Sequence, residues 1–289
     1  MNFRFSLIFI GAMTCLLAAC SSTPPKNSAI IQDSEQVHKI SPIEYLPALA
    51  GDYFKLQSTA VGRPYHIFVR LPEGYDANTK QYPVVYLLDG DSLFPLLAPT
   101  HLFLTYDENL PEAIIVGIAY GGFGDINKRD IDFTAPAADG KLGIDGAPQF
   151  LKFLKTELIP RIEHSYRADS DTRILFGQSR GGYFTLWSAL ADPDLFYARI
   201  ASNPTVTPGQ TRFFEAPSLA PNSQGLVAVA TGTRDRETRM VFANRWTSYW
   251  NEQPNSPWQS KHFIIENGTH AATVGETYRQ TMIWIFNEQ

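Results

Sequence analysis

The sequence predicts an α/β fold in which helices flank a mostly parallel central sheet. Three observations carry that expectation. Short apolar, β-branched runs alternate with longer amphipathic runs along the chain. Several of the apolar runs are nearly continuous, as in strands covered on both faces. A glycine-bounded serine falls where one such run gives way to a helical segment.

Residues 65–71 are extended, β-branched and aromatic, and read as a strand. Residues 74–80 form a turn, and 82–88 and 113–119 are strands of the buried, continuous kind. Over 147–166 the side chains of Phe150, Leu151, Leu154, Leu158 and Ile162 share one helical face, with Lys152, Lys155 and Glu163 elsewhere. Residues 173–176 are a short strand and 180–191 a helix. Strands are then expected at 198–201 and 226–230, a helix at 236–250, a strand at 262–265 and a last helix at 273–286. In open sheets of this kind ligands sit beyond the carboxyl ends of the strands. The loops of interest therefore follow Leu88, Ala119, Phe176, Ala201, Ala230 and Ile265.

The chain has 289 residues, 24 Lys+Arg against 29 Asp+Glu, a formal net charge of −5 and 44% hydrophobic residues. That composition is globular rather than disordered. The acidic balance leaves no basic stripe to displace phosphate counterions, so nucleic acid is not an expected partner. It equally disfavours a polybasic membrane surface. No repeat and no second linker interrupt residues 45–289, which are read as one domain.

The N-terminal residues are set apart from that domain. Arg4 precedes an apolar run over 5–19 that is too short to span a bilayer comfortably, so 1–19 reads as a signal peptide. Leu17-Ala18-Ala19-Cys20 resembles the bacterial lipobox, in which the cysteine is lipidated and heads the mature chain. The one other cysteine, Cys15, lies in the signal segment, so Cys20 has no disulfide partner. Ser21 and Ser22 resemble an outer-membrane sorting pattern, and 20–44 is a polar, Pro/Ser-rich tether. The expectation is an outer-membrane lipoprotein facing the periplasm, with the membrane as partner through Cys20.

The loop after Phe176 reads Gly177-Gln178-Ser179-Arg180-Gly181-Gly182, a G-x-S-x-G nucleophile elbow. Such a serine sits on a strained strand-to-helix turn, and its neighbours two residues away must be small because the two backbones meet there. The helix that follows points its first N–H groups at a developing oxyanion. A nucleophilic serine needs a base and a group to orient it, in the order serine, acid, histidine. Of six histidines, His38 lies in the tether, His66 and His101 precede the serine, His164 ends a helix and His262 sits inside a strand. His270 falls in a Gly-containing loop between the last strand and the last helix and is the candidate base. Asp235, in the loop through Gly232, is the candidate acid; it could instead cap the following helix, and Glu237 is the alternative. The oxyanion donors expected are the backbone amides of Asp91 and Arg180, with the Asp91 carboxylate turned away.

Leu87-Leu88-Asp89-Gly90-Asp91, Arg129-Asp130-Ile131-Asp132-Phe133-Thr134, the elbow, Gly232-Thr233-Arg234-Asp235 and Gly268-Thr269-His270 together resemble the putative esterase family of α/β-hydrolases. That family includes esterase D-like enzymes, feruloyl esterase domains, catecholate-siderophore esterases and, more distantly, mycolyltransferases. The resemblance covers about 52–287 and implies an α/β-hydrolase fold and a Ser–acid–His hydrolase that needs no cofactor. One position departs from many members: Arg180 stands where a bulky apolar residue is common.

No H-E-x-x-H, C-x-x-C or dinucleotide glycine loop points to a metal or a nucleotide cofactor. The expected function is serine carboxylic-ester hydrolysis of a small-molecule ester through an acyl-enzyme. Acyl transfer with the same triad and non-catalytic ligand binding are the alternatives. Segments 120–145 and 203–224 are expected to wall the pocket with Tyr120, Phe123, Phe133, Phe213 and Phe214. An aromatic or acyl-rich ester would suit such walls, and the family resemblance together with the envelope anchor implies a siderophore-type ester.

Overall fold

Among the described residues, eight strands form one sheet: β1 (Gly51–Gln57), β2 (Pro64–Arg70), β3 (Tyr82–Leu87), β4 (Ile114–Ala119), β5 (Ala168–Gln178), β6 (Ala198–Ser202), β7 (Gly225–Gly232) and β8 (Trp258–Ile265). The structure, a computed structural model, describes residues 46–136, 146–206, 211–218 and 224–288. The signal segment 1–19, the tether 20–44 with Cys20, and parts of both expected pocket walls lie outside these residues. The strand order is β1-β2-β4-β3-β5-β6-β7-β8. Pairing is antiparallel for β1–β2 and β2–β4, and parallel from β4 through β8.

The helices are α1 (Gly90–Asp107), α2 (Arg129–Asp132), α3 (Ala147–Phe153), α4 (Ile159–Ser165), α5 (Arg180–Ala191), α6 (Glu237–Glu252) and α7 (Val274–Asn287). Strand side chains alternate between faces, and both faces are covered. Val84 and Tyr86 of β3 pack with Phe150 and Phe153 of α3 and Phe184 of α5. Their neighbours Val85 and Leu87 pack on the other face with Leu97 of α1 and with Tyr278 and Ile285 of α7. Val227 and Val229 of β7 meet Trp246 and Trp250 of α6. Burial on both faces is why β3 and β4 carry continuous apolar runs.

Three elements differ from the sequence expectation. β1 pairs over seven positions with β2, yet most of its residues are exposed, so no apolar run marks it. The helix α1 carries Pro95 and Pro99 inside it, residues that argue against a helix on sequence alone. It nevertheless buries Leu93, Phe94, Leu97, Ala98, His101 and Leu104. The helix expected over 147–166 contains a π turn, Leu154–Leu158, between α3 and α4. Pro160 has no N–H for the carbonyl four residues back, and the ladder shifts register just before it.

The topology aligns the carboxyl ends of β3, β5, β6, β7 and β8 along one edge. Every candidate residue named from the sequence, apart from Cys20, lies in a loop or first helical turn at that edge.

Candidate active site

Ser179 joins β5 to α5 with φ 59° and ψ −111°. A serine at positive φ costs roughly 1–3 kcal/mol and persists only where its surroundings over-determine it. Here they do. The Ser179 N–H donates to Ser202 O at 2.9 Å, and Ser179 O accepts from the Thr205 and Tyr183 amides at 2.9 and 3.0 Å. The turn is so tight that a Cβ on Gly177 would lie 2.3 Å from Gly181 O. No side chain fits there, which is the physical reason for glycine two residues before the serine.

His270 lies in the loop after β8, and Asp235 in the loop after β7. The two loops are zipped together by backbone: Arg234 N–H donates to Gly268 O at 2.8 Å and Thr233 N–H to Ile265 O at 3.0 Å. A Cβ on Gly232 would meet Gly268 O at 2.3 Å, so this close approach requires glycine. The result is a continuous hydrogen-bonded chain. The Asp235 carboxylate accepts from His270 Nδ1–H at 2.8 Å. His270 Nε2 lies 2.9 Å from Ser179 Oγ. The other Asp235 oxygen accepts from the Arg236 amide at 2.7 Å and from the Arg239 guanidinium. Burial alone would raise the Asp235 carboxyl. The His270 hydrogen bond, the Arg236 amide and the nearby cations outweigh it and hold the group below the usual carboxylate range. The Asp235 side chain is only 4% exposed. Glu237, the alternative acid, is exposed and opens α6.

The loop after β3 packs beside the elbow. Asp89 adopts a left-handed conformation (φ 53°, ψ 44°) and α1 begins at Gly90. Asp91 and Arg180 each sit in the first turn of a helix, where amides have no intrahelical acceptor. The Asp91 carboxylate is turned to the loop after β4, accepting from the amides of Tyr120 and Gly121 at 2.8 Å each. Behind the elbow, Arg129 forks onto Asp89 at 2.7 and 3.0 Å and donates to Gln178 O at 3.3 Å. One guanidinium thus braces the loop after β3 against the residue preceding the serine. Burial pushes the Asp89 carboxyl up, and the Arg129 charge opposes it. For Arg129 itself, Asp89 overcomes the effect of burial and raises the guanidinium above its ordinary value.

The departing residue Arg180 turns its side chain to the α2 region, where it pairs with Asp130 at 2.8 Å. The 129–134 run noted in the sequence therefore contacts the elbow region through two consecutive residues. Asp132 in the same run is fully buried and accepts from the hydroxyls of Tyr65 and Tyr120 at 2.6 and 3.0 Å.

Three of the five aromatics expected to wall the pocket belong to the core instead. Tyr120, Phe133 and Phe213 are 4%, 1% and 0% exposed. Tyr120 points its hydroxyl at Asp132, and Phe133 packs on Phe150 and Phe184. Phe214 is half-buried against Phe242 and Tyr249, and Phe123 alone of the five is largely exposed, 75%, in the loop after β4. Sequence reading missed Thr205, whose Oγ1 lies 2.9 Å from Ser179 Oγ. Its loop follows Ala201 and was among those of interest, but nothing in the residue spacing distinguishes it. Asn203 in that loop is a second omission: its amide oxygen accepts from Gly232 N–H at 2.9 Å and its nitrogen donates to Thr273 at 2.5 Å.

The family described as putative esterase matches residues 58–286, and the chain belongs to it. Among curated relatives, ferri-bacillibactin esterase BesA of Bacillus subtilis is 34% identical over 168 residues, 52% of this chain and 57% of that protein. The siderophore triacetylfusarinine C esterase of Aspergillus fumigatus is 30% identical over 169 residues, 56% of this chain and 58% of that one. The chain thus spans less than two thirds of the length of these relatives. Among solved structures, the BES protein from Bacillus cereus superimposes with a TM-score of 0.70 at 24% identity, covering 81% of this chain and 94% of that chain. The fold is that of the α/β-hydrolases.

Proposed function

We propose that this chain is a serine carboxylic-ester hydrolase with Ser179 as nucleophile, His270 as base and Asp235 as orienting acid. The observation that carries the reading is the Ser179–His270–Asp235 hydrogen-bonded chain at the carboxyl edge of the sheet. His270 takes the Ser179 proton as Oγ attacks the acyl carbon, and Asp235 holds the tautomer and stabilises the imidazolium. The amides of Asp91 and Arg180 receive the oxyanion. His270 then protonates the departing alcohol, and water repeats the sequence on the acyl-enzyme.

For the substrate we propose an aromatic or siderophore-type ester. The support is the activity named for the relatives, together with Phe123 exposed in the loop after β4. A hydrolysis panel of nitrophenyl esters, feruloyl esters and ferric-siderophore trilactones tests it. Activity confined to simple nitrophenyl esters would remove the substrate proposal. Ser179→Ala should lower kcat on the order of 10³-fold or more with the melting temperature little changed. Retained activity in that variant would sink the whole reading.

We further propose that the protein is an outer-membrane lipoprotein anchored at Cys20 and facing the periplasm. The support is sequence alone: Leu17-Ala18-Ala19-Cys20 after an apolar run, followed by Ser21 and Ser22. Cys20→Ser should move the protein from the membrane to the soluble fraction with its specific activity kept. A wild-type protein already in the soluble fraction of detergent-free extracts would end that proposal.

A further inference from the structure

Residue 179 makes three contacts with one short segment, from the last residue of β6 to Thr205. Its N–H reaches Ser202 O, its carbonyl takes the Thr205 N–H, and its Oγ lies 2.9 Å from Thr205 Oγ1. The same Oγ is 2.9 Å from His270 Nε2. A serine hydroxyl has one proton to give. His270 Nδ1 faces the Asp235 carboxylate, so Nδ1 carries the imidazole proton and Nε2 is the acceptor. The Ser179 proton therefore goes to His270. The contact with Thr205 must then run the other way, with the threonine hydroxyl donating to Ser179 Oγ. Thr205 is itself exposed, and its backbone N–H is fixed on Ser179 O, so this hydroxyl sits at the reacting atom and is aligned before substrate arrives.

A donor aimed at the nucleophilic oxygen affects the two halves of an acyl-enzyme reaction differently. In acylation the free serine already accepts this hydrogen bond, so little is gained as Oγ attacks the acyl carbon, whereas the ester Oγ of the acyl-enzyme is a poor acceptor and gains the bond only as it leaves. In deacylation water adds to the acyl carbon and passes its proton to His270 Nε2. The tetrahedral oxyanion then collapses, the C–Oγ bond breaks, and the His270 proton moves to Oγ as the acid is released. Negative charge builds on Oγ as that bond breaks, and an O–H directed at it stabilises the charge. We propose that Thr205 is a catalytic residue specialised for deacylation, a second donor to Ser179 Oγ when that oxygen is the leaving group. The inference rests on Ser179 being the nucleophile, and it adds a residue to the reaction that the triad and the oxyanion amides do not include.

The test is the lifetime of the acyl-enzyme in Thr205→Val and Thr205→Ser. Wild-type and variant proteins are mixed with excess nitrophenyl acetate, freed of ester, quenched in acid at intervals and weighed intact by mass spectrometry. Steady-state kcat and KM are measured on the same ester. Valine keeps the backbone N–H and the shape but not the hydroxyl. Decay of the acetyl adduct should slow about 10- to 100-fold in Thr205→Val, the worth of one hydrogen bond to a charged atom. The ratio kcat/KM, which reports acylation, should stay within about threefold, so that kcat and KM fall together once deacylation limits turnover. Thr205→Ser should restore the wild-type decay. An unchanged adduct lifetime in Thr205→Val overturns the proposal. So does a loss of kcat/KM equal to the loss of decay rate, which would mark Thr205 as merely holding the elbow in shape. If wild type forms no adduct, or Ser179→Ala still forms one, the nucleophile assignment fails first and takes this inference with it.

Discussion

Two histidines in this molecule each bridge two hydrogen-bonding partners, and the two are built for opposite ends. His270 stands between Ser179 Oγ and the Asp235 carboxylate on a loop, with its side chain 37% exposed. His101 stands between the Pro111 carbonyl and the Tyr278 hydroxyl, at 3.1 and 2.9 Å, where α1 packs on α7, and is fully buried. The partner facing the far nitrogen makes the difference. A carboxylate stabilises an imidazolium at the moment one forms. A carbonyl in a dry interior supplies only a dipole, and burial pushes the His101 imidazole down to about 4, a fall the Pro111 carbonyl does not offset. One ring faces a carboxylate at the surface, as the role of base proposed for it requires, and the other is kept neutral at neutral pH by burial. Two-partner geometry around a histidine is therefore no mark of catalysis until the charge and exposure of both partners are known.

The largest effects should come from the His270 side. His270→Gln removes the proposed base and should lower kcat on the order of 10³-fold or more, with the melting temperature within a few degrees of wild type. His101→Gln should do the reverse, lowering stability by about 1–3 kcal/mol through imperfectly satisfied buried partners while kcat stays near wild type. Steady-state kinetics and urea titrations on both proteins check the pair. A crippled but stable His101 variant would destroy the contrast. Next in size, Asp235→Asn keeps the shape but reverses the donor pattern at His270 Nδ1, and should cost roughly 10²- to 10⁴-fold in kcat with KM little changed.

Much of this site was legible in the sequence because its parts are local. Gly177, Ser179 and Gly181 lie within one turn, and the loops holding Asp235 and His270 follow strands that their apolar runs announce. What was not legible depends on tertiary position. Tyr120, Phe133 and Phe213 sit in loop-like, glycine- and proline-rich segments, and sequence cannot say whether an aromatic there faces a pocket or the core. Thr205 lies 26 residues from Ser179, and only the parallel pairing of β5 and β6 brings the two together. The helix α1 was hidden by Pro95 and Pro99, although the face it buries carries Leu93, Leu97 and His101.

The contrast between the two histidines also has a pH signature. An unfolded chain holds His101 near pKa 6.5, and the folded protein holds it near 4. Between those values the unfolded state binds more protons, so stability falls as pH drops through 6.5 and levels off near 4. The full contribution is of order 3 kcal/mol. His262, which accepts from or donates to Thr231 Oγ1 at 2.7 Å, is lowered by burial to about 4 as well and adds loss over the same window. Urea midpoints at pH 7 and pH 4.5 should converge more closely for His101→Gln than for wild type. Equal acid losses in the two proteins would show that His101 is not kept neutral by the fold.

The smallest effect expected is at Glu237, and it sharpens the assignment of Asp235. The two acids are two residues apart, yet Asp235 is tucked under His270 and Arg239 whereas Glu237 is exposed at the first position of α6. A carboxylate in a helix's first turn complements the positive end of the helix dipole, worth about 0.3–1 kcal/mol. Glu237→Gln should therefore lower stability by no more than that and leave kcat and KM unchanged. Raising the salt concentration should shrink even this difference, since an exposed charge at a helix end is screened. Kinetics of Glu237→Gln beside Asp235→Asn on one ester decide the matter. If the glutamine variant is the slow one and the asparagine variant is close to wild type, the acid that orients His270 is Glu237, and the loop after β7 must rearrange when substrate binds.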